Sequence, residues 1–308
     1  DRSFMMKREG VSHGDHLFPL KKYDVVLSES FPLVPAHWHE EAEFTRIEKG
    51  SCTYQIHLET YDVEEGDLIF IPPAVLHAIS NEKEERMQSE TYVFHMDFLG
   101  AKAADICALR YLNPLMNQKL IPPFVIKKGH PLYEKAADLF EDINTEYDKK
   151  TPGYEIAIKS YLLQFVAALI PYCTRNTEAD AILTEHAKKL KEVLSYIDAH
   201  YMEELTISGL AGICFFSEYY FMRFFKKYMG MSCVQYIKNV RLERAADQFE
   251  NGETNTLEVA LACGFSNLSY FHREFKKKYG MTPKRFISLS ARAADFHEIV
   301  NNYHFYDS

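Results

Sequence analysis

The chain has 308 residues, with 35 Lys and Arg against 44 Asp and Glu, and a formal net charge of −9, which argues against nucleic-acid binding by the chain as a whole. That length predicts two domains of ordinary size, and 47% hydrophobic residues suffice for real cores. No apolar run reaches the roughly 18–20 residues that cross a bilayer; the longest, residues 161–171, ends in Pro171, and no signal peptide is read, so a cytoplasmic protein without a membrane partner is expected.

Residues 23–98 read as strands. Short alternating runs at 23–28, 43–48, 52–58, 67–71 and 91–98 are separated by turn signals at Gly50 and Glu65-Gly66-Asp67. Many short antiparallel strands predict a barrel or jelly roll, placed at about 20–100. Residues 1–20 form a polar lead-in. His37-Trp38-His39 is followed by Glu43 and Gly50; Gly66 is followed by Pro72, His77 and Asn81. Alternation on one strand points His37 and His39 the same way, with Glu43 on the same or next strand and His77 on a paired one. Three imidazoles and a carboxylate suit a divalent metal such as Zn, Fe, Mn or Ni, so His37, His39, Glu43 and His77 are the metal candidates. Two other readings stay open: these groups hydrogen-bond a polar effector, or the histidines are structural and rim the barrel. Trp38, the single tryptophan, either stacks on a sugar ring or packs at the barrel edge. Trp38, His39, Glu43, Thr45, His77 and His95 are the candidate effector contacts. The two segments resemble the paired motifs of the cupin superfamily, with Ala74 where the second motif usually has glycine. The resemblance implies metal ligands if the chain is like cupin enzymes, and an organic effector without metal if it is like sugar-sensing regulators.

From about residue 101 the pattern turns helical. Residues 132–147 carry apolar residues at helical spacing, and 154–170 are apolar on most of the circumference, which requires burial on more than one side. A dimer interface and an intradomain helix under the barrel both satisfy this. The polar segment 173–184, entered through Pro171, is expected as a linker. The six cysteines, at 52, 107, 173, 214, 233 and 263, form no C-x-x-C pair and read as reduced thiols.

The last third says almost the same thing twice. Tyr220-Phe221, Arg223, Phe225-Lys226-Lys227 and Gly230-Met231 fall on Tyr270-Phe271, Arg273, Phe275-Lys276-Lys277 and Gly280-Met281, at an offset of 50 after a one-residue gap. Such a repeat is one supersecondary unit used twice. Each copy has a short helix, a turn and a longer basic helix, the helix-turn-helix plan. Ser217 and Ser266 are expected as N-caps, and Gly230 and Gly280 as C-caps. Tyr220, Phe221, Phe224 and Phe225, and Tyr270, Phe271 and Phe275, are expected to face the core. The DNA-facing candidates are Ser217, Glu218, Tyr219, Met222, Arg223, Lys226 and Lys227 in the first unit. In the second they are Ser266, Asn267, Leu268, Ser269, His272, Arg273, Lys276 and Lys277. Residues 181–292 hold 16 basic and 12 acidic residues, a net +4, which leaves −13 for the rest.

Residues 190–288 resemble the C-terminal domain of the AraC/XylS transcription regulators. The resemblance rests on Leu210-Ala211, Arg241-Leu242-Glu243-Arg244-Ala245-Ala246, Gly264-Phe265-Ser266, Tyr270 to Lys277 and Gly280-Met281-Thr282-Pro283. It implies two helix-turn-helix units joined by a long helix at 233–251, with recognition helices in successive major grooves about 34 Å apart. The expected architecture is α+β in two domains. A cupin-like jelly roll with helices at about 130–171 for dimerisation fills 1–172, a DNA-binding domain fills 185–290, and a C-terminal extension fills 291–308. The expected function is an effector-controlled DNA-binding regulator, working as a homodimer on double-stranded promoter DNA with RNA polymerase as a further partner. The rivals are a metal-dependent cupin enzyme fused to a DNA-targeting domain, and a constitutive DNA-binding dimer with a vestigial barrel.

Overall fold

The computed structural model describes residues 17–28, 33–81, 86–176 and 178–290. Most of the polar lead-in and the whole C-terminal extension lie outside the described residues. The chain divides into two compact units, residues 1–187 and 188–308.

The first unit begins with eight strands: β1 (Leu20–Leu27), β2 (Leu33–His37), β3 (Ala42–Lys49), β4 (Ser51–Ile56), β5 (Glu59–Glu64), β6 (Leu68–Ile71), β7 (His77–Ser80) and β8 (Met87–Phe94). A 3-10 turn at Met96–Leu99 and a π-helical turn at Ala108–Leu112 lead into α1 (Asn113–Met116). Then come β9 (Leu120–Ile121), β10 (Val125–Ile126), α2 (Tyr133–Lys149), α3 (Tyr154–Leu169) and β11 (Thr174–Arg175). The strands form a five-stranded antiparallel sheet in the order β1-β8-β3-β6-β10 and a four-stranded sheet in the order β2-β7-β4-β5.

Strand alternation builds two cores from the larger sheet. On β3, Ala42 and Phe44 join Phe70, Tyr92 and Phe94 on one face, where Phe140 of α2 and Phe165 of α3 pack; Phe44 stacks on Phe165 at 4.0 Å. The other face of β3 carries Glu43, Thr45 and Ile47. Ile47, Ile69 and Ile71 there meet Val34, Tyr54, Ile56, Val63 and Ile79 of the smaller sheet, giving the jelly-roll interior. A fully buried side chain of this size stabilises by about 1.5–3 kcal/mol.

Three of the first eight strands escape the sequence pattern. β2 is an edge strand containing Pro35, β5 is an edge strand rich in charge, and β7 has four residues. The run expected to continue to residue 98 stops at Phe94, where His95 caps the 3-10 turn. α3 buries Ile158, Leu162, Phe165, Val166 and Leu169 inside its own unit, and leaves Ile156 (75% exposed) and Leu163 on the far side. The segment 173–184 differs from the extended linker expected. Thr174–Arg175 pairs with Leu120–Ile121, and α4 (Glu178–His200) is already under way. Among the described residues no helix is long and apolar enough to cross a membrane.

The second unit holds most of α4 and then α5 (Ile207–Ile213), α6 (Glu218–Met229), α7 (Cys233–Glu250), α8 (Thr256–Ala262) and α9 (Leu268–Tyr279). Residues 283–290 are helical as well. Thr206, Ser217, Ser232, Asn255 and Asn267 each cap a helix by accepting a main-chain N–H with the side-chain oxygen. Gly230 and Gly280 take left-handed conformations at φ +70° and +71° and end α6 and α9.

Candidate functional site

The strand pairing assembles the histidine cluster. β2 and β7 set His37 opposite His77, with ring centroids 4.2 Å apart, and β3 projects Glu43 from the inner face beside them. His39 lies just beyond β2 rather than on it, so simple alternation does not aim it; the turn into β3 does. Its Nε2 is 2.9 Å from Glu43 Oε1, and His77 Nε2 is 3.6 Å from the same oxygen. Each ring donates its Nδ1–H to a main-chain carbonyl, His37 to Pro35 (2.9 Å), His39 to Glu41 (3.1 Å) and His77 to Val75 (2.9 Å). A carbonyl only accepts, so Nδ1 carries a proton in each ring, and in His39 Nε2 also faces an acceptor, the Glu43 carboxylate. Burial, then the neighbouring His77, pushes His37 down to about 3. Burial also opposes charge on His39, but hydrogen bonds to Glu41 and Glu43 outweigh it and hold the ring up at about 10. Burial would raise Glu43; the flanking His77 and His39 outweigh it and hold the carboxyl well below the usual range. The cluster is therefore a buried carboxylate faced by three oriented imidazoles.

Ala74 ties the β6–β7 turn to this cluster, its N–H donating to the His39 carbonyl at 2.8 Å. It does so at φ +59°, the left-handed region that an L side chain resists by about 1–2 kcal/mol. Ala74→Gly is expected to stabilise the first unit by up to about 1 kcal/mol after the unfolded-state entropy of glycine is subtracted. A higher denaturant midpoint at unchanged slope checks it; a lower midpoint refutes strain at this turn.

In the second unit, α6 and α9 present matching faces. Phe221, Phe224, Phe225 and Tyr228 are buried on α6, and Phe271, Glu274 and Phe275 on α9. Glu218, Tyr219, Met222, Arg223, Lys226 and Lys227 are exposed, as are Leu268, Ser269, Arg273, Lys276 and Lys277. The Arg223 guanidinium lies over the Tyr219 ring at 5.7 Å, and that of Arg273 over Tyr270 at 5.1 Å. Each arginine is thus held extended beside an aromatic ring. Two short helix–turn–helix pairs with parallel capping, parallel cores and parallel cationic faces are the arrangement that fits two stretches of a DNA groove.

Residues 30–166 match the AraC-like ligand binding domain and residues 210–288 match a helix-turn-helix domain. The chain belongs to the AraC family of transcriptional regulators. It joins a ligand-binding domain to a helix-turn-helix DNA-binding domain. The uncharacterised HTH-type transcriptional regulator YdeC of Bacillus subtilis is 25% identical over 92% of this chain and 97% of its own length. The bifunctional transcriptional activator/DNA repair enzyme AdaA of the same organism is 39% identical over 32% of this chain and 46% of its own. A solved structure of a probable AraC family transcriptional regulator from Rhodopseudomonas palustris matches at 30% identity over 33% of this chain and 97% of that one, with a TM-score of 0.32.

Within this AraC frame several expectations change. Tyr220 and Tyr270 do not face the core; they are 47% and 40% exposed, because the buried stripe starts one residue later, at Phe221 and Phe271. Asn267, not Ser266, caps α9, with its side chain accepting from Tyr270 N at 2.8 Å. Ser266 is the extra residue: α5 and α8 align at an offset of 49, whereas α6 and α9 align at 50. Ser217 and Asn267 use their side-chain oxygens as caps, so their DNA-facing role is left to what else they offer. His272 is half-buried rather than fully outward, with its Nε2 lacking a hydrogen-bond partner. Thr45 is fully buried and hydrogen-bonds Thr91 at 2.8 Å, and Trp38 is half-buried. His95 is occupied by the cap, its Nδ1 accepting from Asp97 N at 3.2 Å, and is not one of the clustered groups.

Sequence reasoning missed Glu274. It is buried and accepts from Lys238 of α7 at 2.6 Å while also pairing with Arg273 Nε at 3.3 Å. It both fixes α9 on α7 and steadies Arg273. The available signal was that Glu274 is the single acid in an otherwise basic helix. Arg241 was legible only as part of a motif; it donates to the carbonyls of Tyr201 and Glu203 and is structural.

Proposed function

We propose that this AraC family member is a cytoplasmic, non-enzymatic, homodimeric regulator of promoter DNA. Its effector is a sugar or related polar metabolite in the barrel, contacted by Trp38, His39, Glu43 and His77. The observation that carries the reading is the duplicated pair of helices, α6 and α9, with their exposed cationic rows. In this reading Arg273 reads guanine and Lys276 and Lys277 contact phosphates. Tyr219 and Met222 make α6 the more apolar contact, so α9 carries more of the sequence choice. Exposed Ile156 and Leu163 on α3 support dimerisation through the helices at about 130–171. RNA polymerase is the partner that promoter occupancy would recruit or block. The effector acts by binding two arrangements of the protein with different affinity; a 100-fold difference corresponds to about 2.8 kcal/mol of coupling.

Fluorescence anisotropy with the chain's own upstream DNA, with and without candidate sugars, tests this. Arg273→Ala is expected to lose about 1–3 kcal/mol of discrimination between sites, whereas Lys277→Ala weakens all sequences alike and flattens the salt slope by about one. Unchanged discrimination in Arg273→Ala would remove α9 from the reading role.

A further inference from the structure

The turn between β6 and β7, residues 72–76, divides its polar groups between two sets of partners. Two of them engage the cluster: the Ala74 N–H donates to the His39 carbonyl at 2.8 Å, and the Val75 carbonyl accepts from His77 Nδ1 at 2.9 Å. Two others engage different parts of the first unit. The Ala74 carbonyl accepts from Gln118 Nε2 at 3.5 Å, and the Leu76 carbonyl accepts from the His57 N–H at 2.9 Å.

Gln118 and His57 both lead to one stretch of chain. The Gln118 carbonyl accepts from Asn176 Nδ2 at 3.0 Å, and the adjacent Lys119 carbonyl accepts from the Asn176 N–H at 3.3 Å. The buried His57 ring shares a hydrogen bond with Thr184 Oγ1 through Nε2, at 3.2 Å. Asn176 stands just before α4 and Thr184 lies in its second turn. All of these residues belong to the first unit, and α4 continues past residue 187 into the second.

Packing of a helix start does not account for the backbone along these ties. Among the described residues six non-glycine positions have positive φ, and four of them stand here: His57 (+51°), Leu58 (+69°), Ala74 (+59°) and Gln118 (+55°). An L side chain resists that conformation. It persists only where the surroundings impose it, and it gathers at clamps and switch regions.

We infer that residues 72–76 couple the histidine cluster to the first turns of α4, with His57 and Gln118 as the positioning residues that carry the tie. A change at the cluster that moves Ala74 or Val75 strains the bonds at the Ala74 and Leu76 carbonyls, and so loosens Asn176 and Thr184. Because α4 spans the boundary between the units, an event in the barrel is thereby passed to the helix that enters the DNA-binding unit. Only this last step rests on the regulator reading; the tie itself stands on contacts within the first unit.

Hydrogen exchange of the full chain without DNA, read by mass spectrometry over residues 178–187, tests the tie. Glu43→Gln perturbs the cluster. Thr184→Val with Asn176→Ala cuts both ties, at one half-buried and one exposed position outside the barrel core. Glu43→Gln alone is expected to change exchange over 178–187 by about 10-fold, a usual size for coupled sites. Amides of α2 should change by less than about twofold. In the cut background the same substitution should change 178–187 by less than about twofold, the non-additivity that marks coupling. His77→Gln replaces Glu43→Gln if that variant fails to fold. Unchanged exchange over 178–187 in the uncut chain overturns the inference. An equal response in the cut chain overturns it too, because the signal then travels by another path. A response as large in α2 is general loosening and likewise overturns it. With DNA absent from the readout, failure of the tie and failure of the regulator reading register separately.

Discussion

Gly264→Ala is expected to destabilise the helical unit by about 2–4 kcal/mol, a fall in melting temperature of about 10 °C or more. Gly264 sits at φ +83° in the turn between α8 and α9. A methyl group there would stand 2.9 Å from the Tyr201 carbonyl oxygen, 3.0 Å from that of Met202 and 3.0 Å from Arg241 Nε. Two of those three neighbours are backbone, so relief requires the end of α4 to shift. Arg241 would shift with it, because its guanidinium holds the Tyr201 and Glu203 carbonyls. The left-handed conformation adds about 1 kcal/mol more for an L side chain. Thermal unfolding of the full chain, with DNA affinity alongside, measures the effect. A melting temperature and affinity matching wild type would show that the turn yields freely.

Phe275→Ala is the second large effect, at about 3–5 kcal/mol for a fully buried phenylalanine. Phe275 touches Phe249 of α7, Phe271 and Tyr279 of α9, and Phe286, with ring centroids between 4.6 and 5.7 Å. It joins three helical segments at one point, so its loss should free α9 from α7 and weaken DNA binding more than the exposed substitutions do. Phe275→Leu, which keeps most of the volume, should recover most of the stability. If Phe275→Ala melts within 2 °C of wild type (well under the roughly 10 °C implied), the packing described for α9 is wrong.

The helix-turn-helix pair was legible because it is written in close-range periodicity and repeated. Even so, the face boundary slipped by one residue. Tyr220 and Tyr270 are amphipathic, and pattern alone does not tell a tyrosine at the edge of a buried stripe from one inside it. Serine caps helices well, which points to Ser266; the backbone places its neighbour Asn267 at that position. In the barrel, the four cluster residues were readable from spacing. The carbonyls of Pro35, Glu41 and Val75 that orient the rings leave no side-chain signature. β2 was hidden by Pro35 and β5 by its charges. Both are edge strands, where burial imposes the least pattern. The polar stretch expected as a linker is helical from residue 178, since polarity reports exposure and not the absence of a helix.

The mismatch between the offsets 49 and 50 has a practical consequence for engineering. Phe215, at φ +57° and 91% exposed, fills the left-handed turn position that Gly264 fills in the second unit, and there the chain passes almost directly into its cap at Ser217. The second unit inserts Ser266 before Asn267. The two halves are therefore not interchangeable cassettes. A chimera exchanging recognition helices should be spliced at the caps, Ser217 against Asn267, leaving each turn with its own helix. A splice made upstream of the turn brings one residue too many or too few.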